Sequence, residues 1–534
     1  MKKLIKPKPI KKKENGKVYE KILKDDENIQ KQCELTCDID ENENIFKNIF
    51  SSCYDVVFRS IKILGEKKAL IIYADGLVDN KILDDMIIDN LMKENAFLNI
   101  NDMNIGDFLK EQVIPVGQLK DISSIEEAVK AILDGNAIIL VENEPVIFAA
   151  AIGGGQRRNI NEPVTETVIR GPREGFTEDI RINISMLRRR LKTPKLKMEL
   201  STIGEMSKSN IIITYIKGVA EESVIEEVRK RLGKIKIDAV LESGYIEEFI
   251  EDEPYTLFPL VQNTERPDVV AAAMLEGKVA IFTDNTPFVL LVPVVFWGQV
   301  HANEDYYERF SMGTIIRWIR LSFMFISLLV PALYVAVSTF HQQMIPPKLL
   351  MSIVDAREPS PFPAVIEALI MEVTFEALRE AGVRLPKPVG QAVSIVGALV
   401  IGQAAVEAGL VSAPMVIVVS LTGIASFTMP RYDFAFAVRM LRFPLILMAG
   451  SFGLYGVTLG VMAMLIHLVG LRSFGIPYLS PVAPLNLKGL KDVLIRAPHW
   501  NMHKRPELIT SYNEIRVPEG QKPETEQERK DSQK

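Results

Sequence analysis

Histidine and cysteine are scarce in this 534-residue sequence. It contains five histidines, of which His301 is the first, and three cysteines at Cys33, Cys37 and Cys53. Two neighbouring cysteines without further ligands at suitable spacing are weak evidence for a metal site. The scattered histidines accompany no nucleophile motif. We therefore expect no metal, no cofactor and no enzymatic activity.

A strong excess of either charge is also missing. Lysine and arginine total 63 against 68 aspartates and glutamates, for a net charge of -5, and this balance gives no indication of nucleic-acid binding. Basic residues crowd the start, which no apolar run follows, so we expect no signal peptide and a first half in the cytosol with reduced thiols. We expect a basic disordered tail over residues 1–45 and a polar tail over 476–534.

A glycine-rich stretch at residues 153–160, "GGGQRRNI", raises the question of a phosphate-binding loop. The stretch lacks the lysine and hydroxyl residue that follow the last glycine of a Walker loop. A dinucleotide loop needs a third glycine where Arg158 stands. We therefore assign residues 153–200 to a Gly/Arg insertion with a connecting helix, rather than to a nucleotide site.

The sequence on either side of this insertion is duplicated with an offset of 142 residues. This register aligns Tyr73 with Tyr215, Gly135 with Gly277, and "LDGNAIILVENEPVIF" with "LEGKVAIFTDNTPFVL". In each copy, apolar β-rich runs alternate with helical stretches that end in glycine. We predict two similar small α/β units, a first repeat over 46–152 and a second repeat over 201–300.

The connecting helix is predicted to begin after a cap at Thr177 and to carry an apolar face and a basic end. The apolar face comprises Ile180, Ile184, Leu187 and Leu191, and the basic end comprises Arg188, Arg189 and Arg190. The helix is either a surface helix with solvated arginines or an arm that docks on another subunit or domain. In the second case the arginines pair with acids or lipid head groups, so all seven residues are candidates for subunit contacts.

The chemistry changes after residue 300, where long uncharged runs begin. Residues 321–340, 388–406, 408–430 and 443–471 carry no charge and are long enough to cross a bilayer as helices. A further stretch, 363–382, is apolar but carries glutamates, so four or five spans remain open. The predicted fold class is therefore an α/β soluble N-terminal half followed by an all-α polytopic membrane domain over 301–475.

Several motifs resemble the A subunit of the GerA-type spore germinant receptors. They are "GGGQRR", "RGPREGF", "NISMLRRRL", "HQQMIPP", "EALREAGVRLPKPVGQAVSIVGALVIGQAAVEAG", "MVIVVSLTGIASF" and "VRMLRFPL". The resemblance implies a nutrient-sensing receptor subunit in the spore inner membrane, and the missing signal peptide and the thiols then predict that its large N-terminal half lies on the core side. It also implies a transporter-like B subunit and a lipoprotein C subunit as partners, and an oligomeric, germinant-gated ion channel.

Candidate pore residues follow from the small-residue helix at 388–406. Its face with Val396, Val400, Gln403 and Glu407 would line a pore shared by several copies, with valines as a hydrophobic gate. In the 363–382 stretch, the face with Glu372, Glu376 and Glu380 is our candidate for a cation-attracting vestibule, because carboxylates that face lipid would be costly. Membrane lipid is an expected partner of the membrane domain as a whole. The alternatives are that both faces only pack, and that the chain is a non-conducting scaffold, a signal-transmitting subunit or a secondary transporter.

Overall fold

The chain forms two compact units, which a computed structural model describes for most of its length. The α/β unit comprises residues 1–251, 261–293 and 499–534, and the helical unit comprises 252–260 and 294–498. The described residues are 35–63, 67–92, 118–144, 146–154, 161–163, 165–384, 397, 400–487, 489–510 and 513–523.

The α/β unit contains two five-stranded sheets of identical strand order, in which every pair is antiparallel. The first sheet consists of β1 (Val56–Ile63), β2 (Lys67–Ala74), β3 (Leu119–Ile122), β4 (Ala137–Val141) and β5 (Ile147–Ala150), in the order β1-β2-β4-β5-β3. The second consists of β6 (Leu196–Ile203), β7 (Ser209–Ile216), β8 (Gln262–Thr264), β9 (Val279–Thr283) and β10 (Val289–Val292), in the order β6-β7-β9-β10-β8. Tyr73 on β2 and Tyr215 on β7 occupy equivalent places, so the predicted duplication is confirmed.

Helices cover both faces of the first sheet, because its central strands are apolar on both sides. The helices of the first repeat are α1 (Ile39–Ile49), a helical segment α2 at 80–92, and α3 (Ile125–Leu133). Leu70 and Ile72 of β2 pack under α1 and α3, whereas Ile71 packs under α2 on the opposite face. This alternation is what a period of two along the strand requires.

The second repeat begins earlier than the sequence predicted. Its helices are α4 (Ile180–Arg190), α5 (Glu222–Leu232), α6 (Ser243–Ile250) and α7 (Pro267–Leu275). Asn183 in α4 receives a hydrogen bond from Thr177 N–H (2.7 Å) and donates one to Thr177 O (2.6 Å), and Asn42 in α1 makes the same pair with Thr36. Helix α4 is therefore the counterpart of α1 rather than a connecting helix.

Two expectations about the same helices need correction. The side chain that caps α4 belongs to Asp179, which accepts from Arg181 N–H at 2.8 Å, and not to Thr177. The predicted tail over 1–45 overlaps α1, whose N-terminus is capped in the same way by Asp38. The two helices and their caps are offset by 141 residues rather than 142, so the register that aligns the strands does not align these helices.

The helical unit contains long apolar helices and short connecting ones. Its elements are α8 (Phe296–Val300), α9 (Glu304–Tyr307), α10 (Phe310–Phe340), α11 (Pro347–Arg357), α12 (Ala364–Arg384), α13 (Ala413–Ser426) and α14 (Tyr432–Gly470). Within the described residues, α10 and α14 are long and apolar enough to cross a membrane. Helix α10 contains the predicted span 321–340 and α13 lies within 408–430, whereas 388–406 lies mostly outside the described residues.

The segment named α14 is a hairpin of two helices, 432–452 and 454–470. Gly453 has non-helical backbone angles (φ 60°, ψ -143°), and a methyl group at Gly460 would lie 2.5 Å from Leu445 Cδ2. The rings of Phe434 and His467 both lie about Phe258, at centroid distances of 6.4 and 6.3 Å. A straight helix would separate those two residues by about 50 Å. The predicted single span 443–471 is therefore wrong, because the chain reverses at Gly453.

The region predicted as a polar tail, 476–534, is largely folded where it is described. Tyr478 and Val493 are buried in the helical unit, and Ile509 and Thr510 are buried in the α/β unit. Short apolar stretches interrupt the polar ones here, and composition averaged over the whole tail conceals them.

Candidate functional site: paired charges in the helical unit

The carboxylates of α12 lie inside the helical unit, each next to an arginine. Glu372 and Arg442 form an ion pair of 2.5 Å, with side-chain exposures of 0% and 1%. Burial of two charges is costly unless the partners compensate each other. This pair therefore joins α12 to the first helix of the hairpin, and removal of either member would leave a buried charge.

A second pair follows one turn along α12. Glu376 lies 3.1 Å from Arg439 Nε and 3.6 Å from Arg379, so two cations share one carboxylate. The Arg379 guanidinium also lies over the ring of Phe427, at 4.3 Å from its centroid, and donates to Ser426 Oγ. This arrangement connects α12, α13 and the hairpin through one charged cluster.

These contacts describe the surroundings of the three glutamates of the predicted vestibule, which stays a prediction. Glu372 and Glu376 are neutralised by arginines of the same chain, and Glu372 is fully buried. Glu380 is exposed but pairs with Arg384 at 2.5 Å. Spacing along α12 placed the three glutamates on related turns, but Arg442 and Arg439, the partners of Glu372 and Glu376, lie 70 and 63 residues away in sequence. No local pattern identifies those two partners.

Glu367 is a functional candidate that the sequence did not single out. Its side chain is fully buried, and Oε1 accepts the backbone N–H of Ser412 at the start of α13. Arg357 Nε lies 3.7 Å from Oε2, beyond hydrogen-bonding distance. A carboxylate at this position stabilises the helix N-terminus through the helix dipole, so Glu367 fixes α13 relative to α11 and α12.

The predicted gate residues are only partly described. Val396 and the side chain of Val400 lie outside the described residues. Gln403 donates to Glu407 Oε1 at 3.1 Å, and both side chains are exposed. The polar pair therefore lies on an open surface of this chain, whereas the valine gate stays a prediction.

The predicted contact face of α4 is covered by its own chain. Ile180, Ile184, Leu187 and Leu191 are buried in the core of the second repeat, against residues of β6, β7 and α7. The prediction left open whether another subunit or a domain covers this face, and within this chain the second repeat covers it. An amphipathic pattern identifies the face that is buried but not what buries it.

The three arginines at the end of α4 have different surroundings. Arg188 is buried and forms two hydrogen bonds with Asp55 of the first repeat, at 2.7 and 2.8 Å. Arg189 donates to Ser185 Oγ at 3.2 Å, and Arg190 pairs with Glu174 at 2.6 Å. Arg188 therefore joins the two repeats within one chain instead of facing a subunit or a lipid head group.

The glycine-rich stretch has a structural role where it is described. Gly153 pairs with Val78, and Gly154 N–H donates to Leu77 O at 3.2 Å. A methyl group at Gly154 would lie 2.8 Å from Asp79 Cβ, so a larger residue would not fit without rearrangement. Residues 155–160 of the same stretch lie outside the described residues.

Comparison with known proteins places these features in a family. Residues 44–508 match the model described as Bacillus/Clostridium GerA spore germination protein. Spore germination protein KA of Bacillus subtilis (strain 168) is 47% identical over 481 residues, covering 90% of this chain and 88% of its own. Uncharacterized membrane protein YfkQ of the same organism is 50% identical over 478 residues, covering 88% and 91%.

A crystal structure of the N-terminal domain of the A subunit of the Bacillus megaterium spore germinant receptor GerK3 is 34% identical to this chain. It covers 49% of this chain and 98% of its own, with a TM-score of 0.40. Spore germination protein A1 of Bacillus subtilis (strain 168) is 42% identical over 395 residues, covering 74% and 81%. With a family model that spans most of its length and relatives that match it nearly end to end, the chain belongs to the GerA family of spore germination receptor A subunits.

Proposed function

We propose that this chain crosses the spore inner membrane through its helical unit and forms, as an oligomer, a nutrient-gated ion channel. The observation that supports this proposal is an inverted distribution of polarity. Large apolar side chains such as Phe325, Phe452 and Ile466 are exposed, whereas Glu372 and Arg442 are buried. This distribution fits a lipid environment, in which charges face the interior of a helix bundle.

The proposal includes an even number of crossings. Residues that enter the helical unit, such as Phe296, and residues that leave it, such as Leu468 and Tyr478, belong to one cluster. The hairpin turn at Gly453 lies instead beside His341, at the end of α10. Both ends of the helical unit then emerge on one side, which we assign to the spore core together with the α/β unit.

A single chain has few helices with which to enclose a pore, so the channel requires several copies. In this proposal Val396 and Val400 form a hydrophobic constriction, and Gln403 and Glu407 form its polar mouth. A transporter-like B subunit and a lipoprotein C subunit complete the receptor, because the family resemblance implies both. The buried ion pairs of α12 hold the helices that surround the constriction.

The decisive experiment measures resting potassium leak from two sets of liposomes. One set contains the wild-type chain and the other contains the Val400→Ser variant. A wetted constriction lowers the barrier to ions, so we expect leak from the variant without any nutrient. Ile417→Ser is the matched control, because Ile417 is an exposed apolar residue of α13. Normal incorporation of Val400→Ser without leak would refute the gate and favour a non-conducting scaffold.

The orientation is tested separately by thiol labelling. Cys37 is exposed in the α/β unit, whereas Cys53 is buried. A membrane-impermeant maleimide applied to intact protoplasts that express the chain should leave Cys37 unlabelled and should label it after permeabilisation. Labelling before permeabilisation would place the α/β unit on the outer side.

A further inference from the structure

Each repeat contains an equivalent notch. It forms where the glycine that follows a helix approaches the turn that follows a strand. In the first repeat Gly135, with φ +91°, faces Leu77 O and Gly153 Cα. Val78 in the turn pairs with Gly153, which follows β5 by only a few residues. The first repeat therefore fills its notch with the chain that directly continues its own sheet.

The second repeat fills the equivalent notch differently. Gly277, with φ +98°, corresponds to Gly135, and a methyl group there would lie 2.8 Å from Ile509 O and 3.1 Å from Val219 O. Ala220, the counterpart of Val78, pairs with Thr510. The occupant is thus a segment that follows the helical unit. We call residues 499–516 the strap; all of them except 511 and 512 are described.

Polar contacts hold the strap on both sides of this notch. Arg505 Nε donates to Leu275 O at 2.7 Å, and its Nη1 donates to Asn513 O and Ile515 O within the strap at 2.8 and 2.7 Å. Arg516 forms an ion pair with Glu276 at 3.1 Å, with side-chain exposures of 25% and 27%. Gly277 leaves room for the backbone of the strap, and Arg505 donates to three carbonyl groups. Together these features indicate that the strap remains bound in the notch.

The position of the strap in the chain determines which parts of the protein this contact connects. The second repeat continues from β10 into the helical unit at Val294, and the strap follows the last residue of the helical unit, Pro498. The second repeat is therefore attached to both ends of the membrane helices, whereas the first repeat is attached to neither.

We propose that the strap, seated in the Gly277 notch, is a permanent coupling element through which the second repeat and the exit of the helical unit move together. The inference rests on the proposed receptor function for its biological readout, but seating of the strap is measurable without it. Because coupling requires a seated strap, loosening it should weaken the nutrient response, and locking it should not.

The experiment uses charge reversal across the notch in the full receptor. Glu276→Arg and Arg516→Glu should each raise hydrogen exchange of strap amides by about two- to fivefold, the range that a partly exposed ion pair supports. Each should also slow nutrient-induced germination, and the double variant should restore both. Glu514→Lys is the matched control, because Glu514 pairs with Lys504 inside the strap, in an exposed position.

A disulfide between Ala220→Cys and Thr510→Cys, in a background with Cys33 and Cys37 replaced by serine, locks the strap. A normal response of locked receptors is expected, and loss of response on oxidation, reversed by reduction, would overturn the permanent coupling. Faster exchange with unchanged germination in the charge reversals would overturn it as well. Failure of the wild-type chain to respond in a complete receptor would instead refute the proposed function.

Discussion

The carboxylate of Asp55 and the guanidinium of Arg188 meet through two parallel hydrogen bonds, with side-chain exposures of 4% and 1%. Asp55 precedes the first strand of the first repeat, and Arg188 lies near the end of α4 in the second. Arg188 Nη1 also donates to Thr193 O at 2.9 Å. This bidentate pair is the central polar contact between the repeats and specifies their relative position within the α/β unit.

Replacing Asp55 by alanine should destabilise the α/β unit by about 3–5 kcal/mol, because Arg188 would remain buried without its counter-ion. Glu174→Ala removes the partner of Arg190, which is partly exposed, and should cost at most about 1 kcal/mol. Hydrogen exchange of the β1 and β6 amides measures both effects. Equal protection in the two variants would contradict the central role of Asp55.

The equivalence of α1 and α4 predicts the effect of changing Asn183. Alanine at this position loses both hydrogen bonds to the backbone of Thr177 and should cost about 1–3 kcal/mol, since the groups are nearly buried. Aspartate retains the acceptor for Thr177 N–H but turns a buried carboxylate oxygen toward Thr177 O, so its effect should be at least as large. Asn42→Ala provides the matching measurement in the first repeat, by hydrogen exchange of α1, and unchanged protection there would contradict the equivalence.

The pair between Glu372 and Arg442 should be sensitive to single but not to paired replacement. Glu372→Gln leaves Arg442 buried without a counter-charge and should destabilise the helical unit by about 3–5 kcal/mol. The double variant Glu372→Gln with Arg442→Met removes both charges and should recover most of that loss. Thermal unfolding in detergent measures the series, with Glu380→Gln as the exposed control. A double variant as unstable as the single one would refute this interpretation.

The buried side chain of His301, in the segment before α10, predicts that the stability of the helical unit falls in acid. Burial, together with the charge of Arg317, lowers the pKa of His301 to about 4. The unfolded chain takes up a proton near pH 6.5 and the folded chain only near pH 4, so stability falls as pH falls between these values. The loss is about 2–3 kcal/mol.

His301→Gln should remove this loss, because an amide does not titrate in that window and can still donate to Val493 O. Tryptophan fluorescence during unfolding in detergent, compared between pH 6.5 and 4, measures the difference between the two proteins. His499→Gln replaces an exposed histidine and serves as the control. An identical pH slope in wild type and His301→Gln would contradict the burial of this imidazole.

The sequence predicted most of the α/β fold, because repeats and strands leave local signals. One offset aligned β2 with β7 and located both sheets. The partners of Glu372 and Arg188 could not be predicted in this way, since a pairing between residues far apart in sequence leaves no periodic trace around either residue. The prediction that 443–471 is one span was wrong for a different reason. An uncharged run is compatible with a straight helix and with a hairpin alike.

Gly277 also bears on the order in which the protein is made. A ribosome completes the first repeat soon after it has synthesised Gly153, because everything that fills its notch is then present. The second repeat must wait until the helical unit has been synthesised and Ile509 and Thr510 have left the ribosome. Final closure of the second repeat is therefore a late event of synthesis, which cannot precede completion of the helical unit.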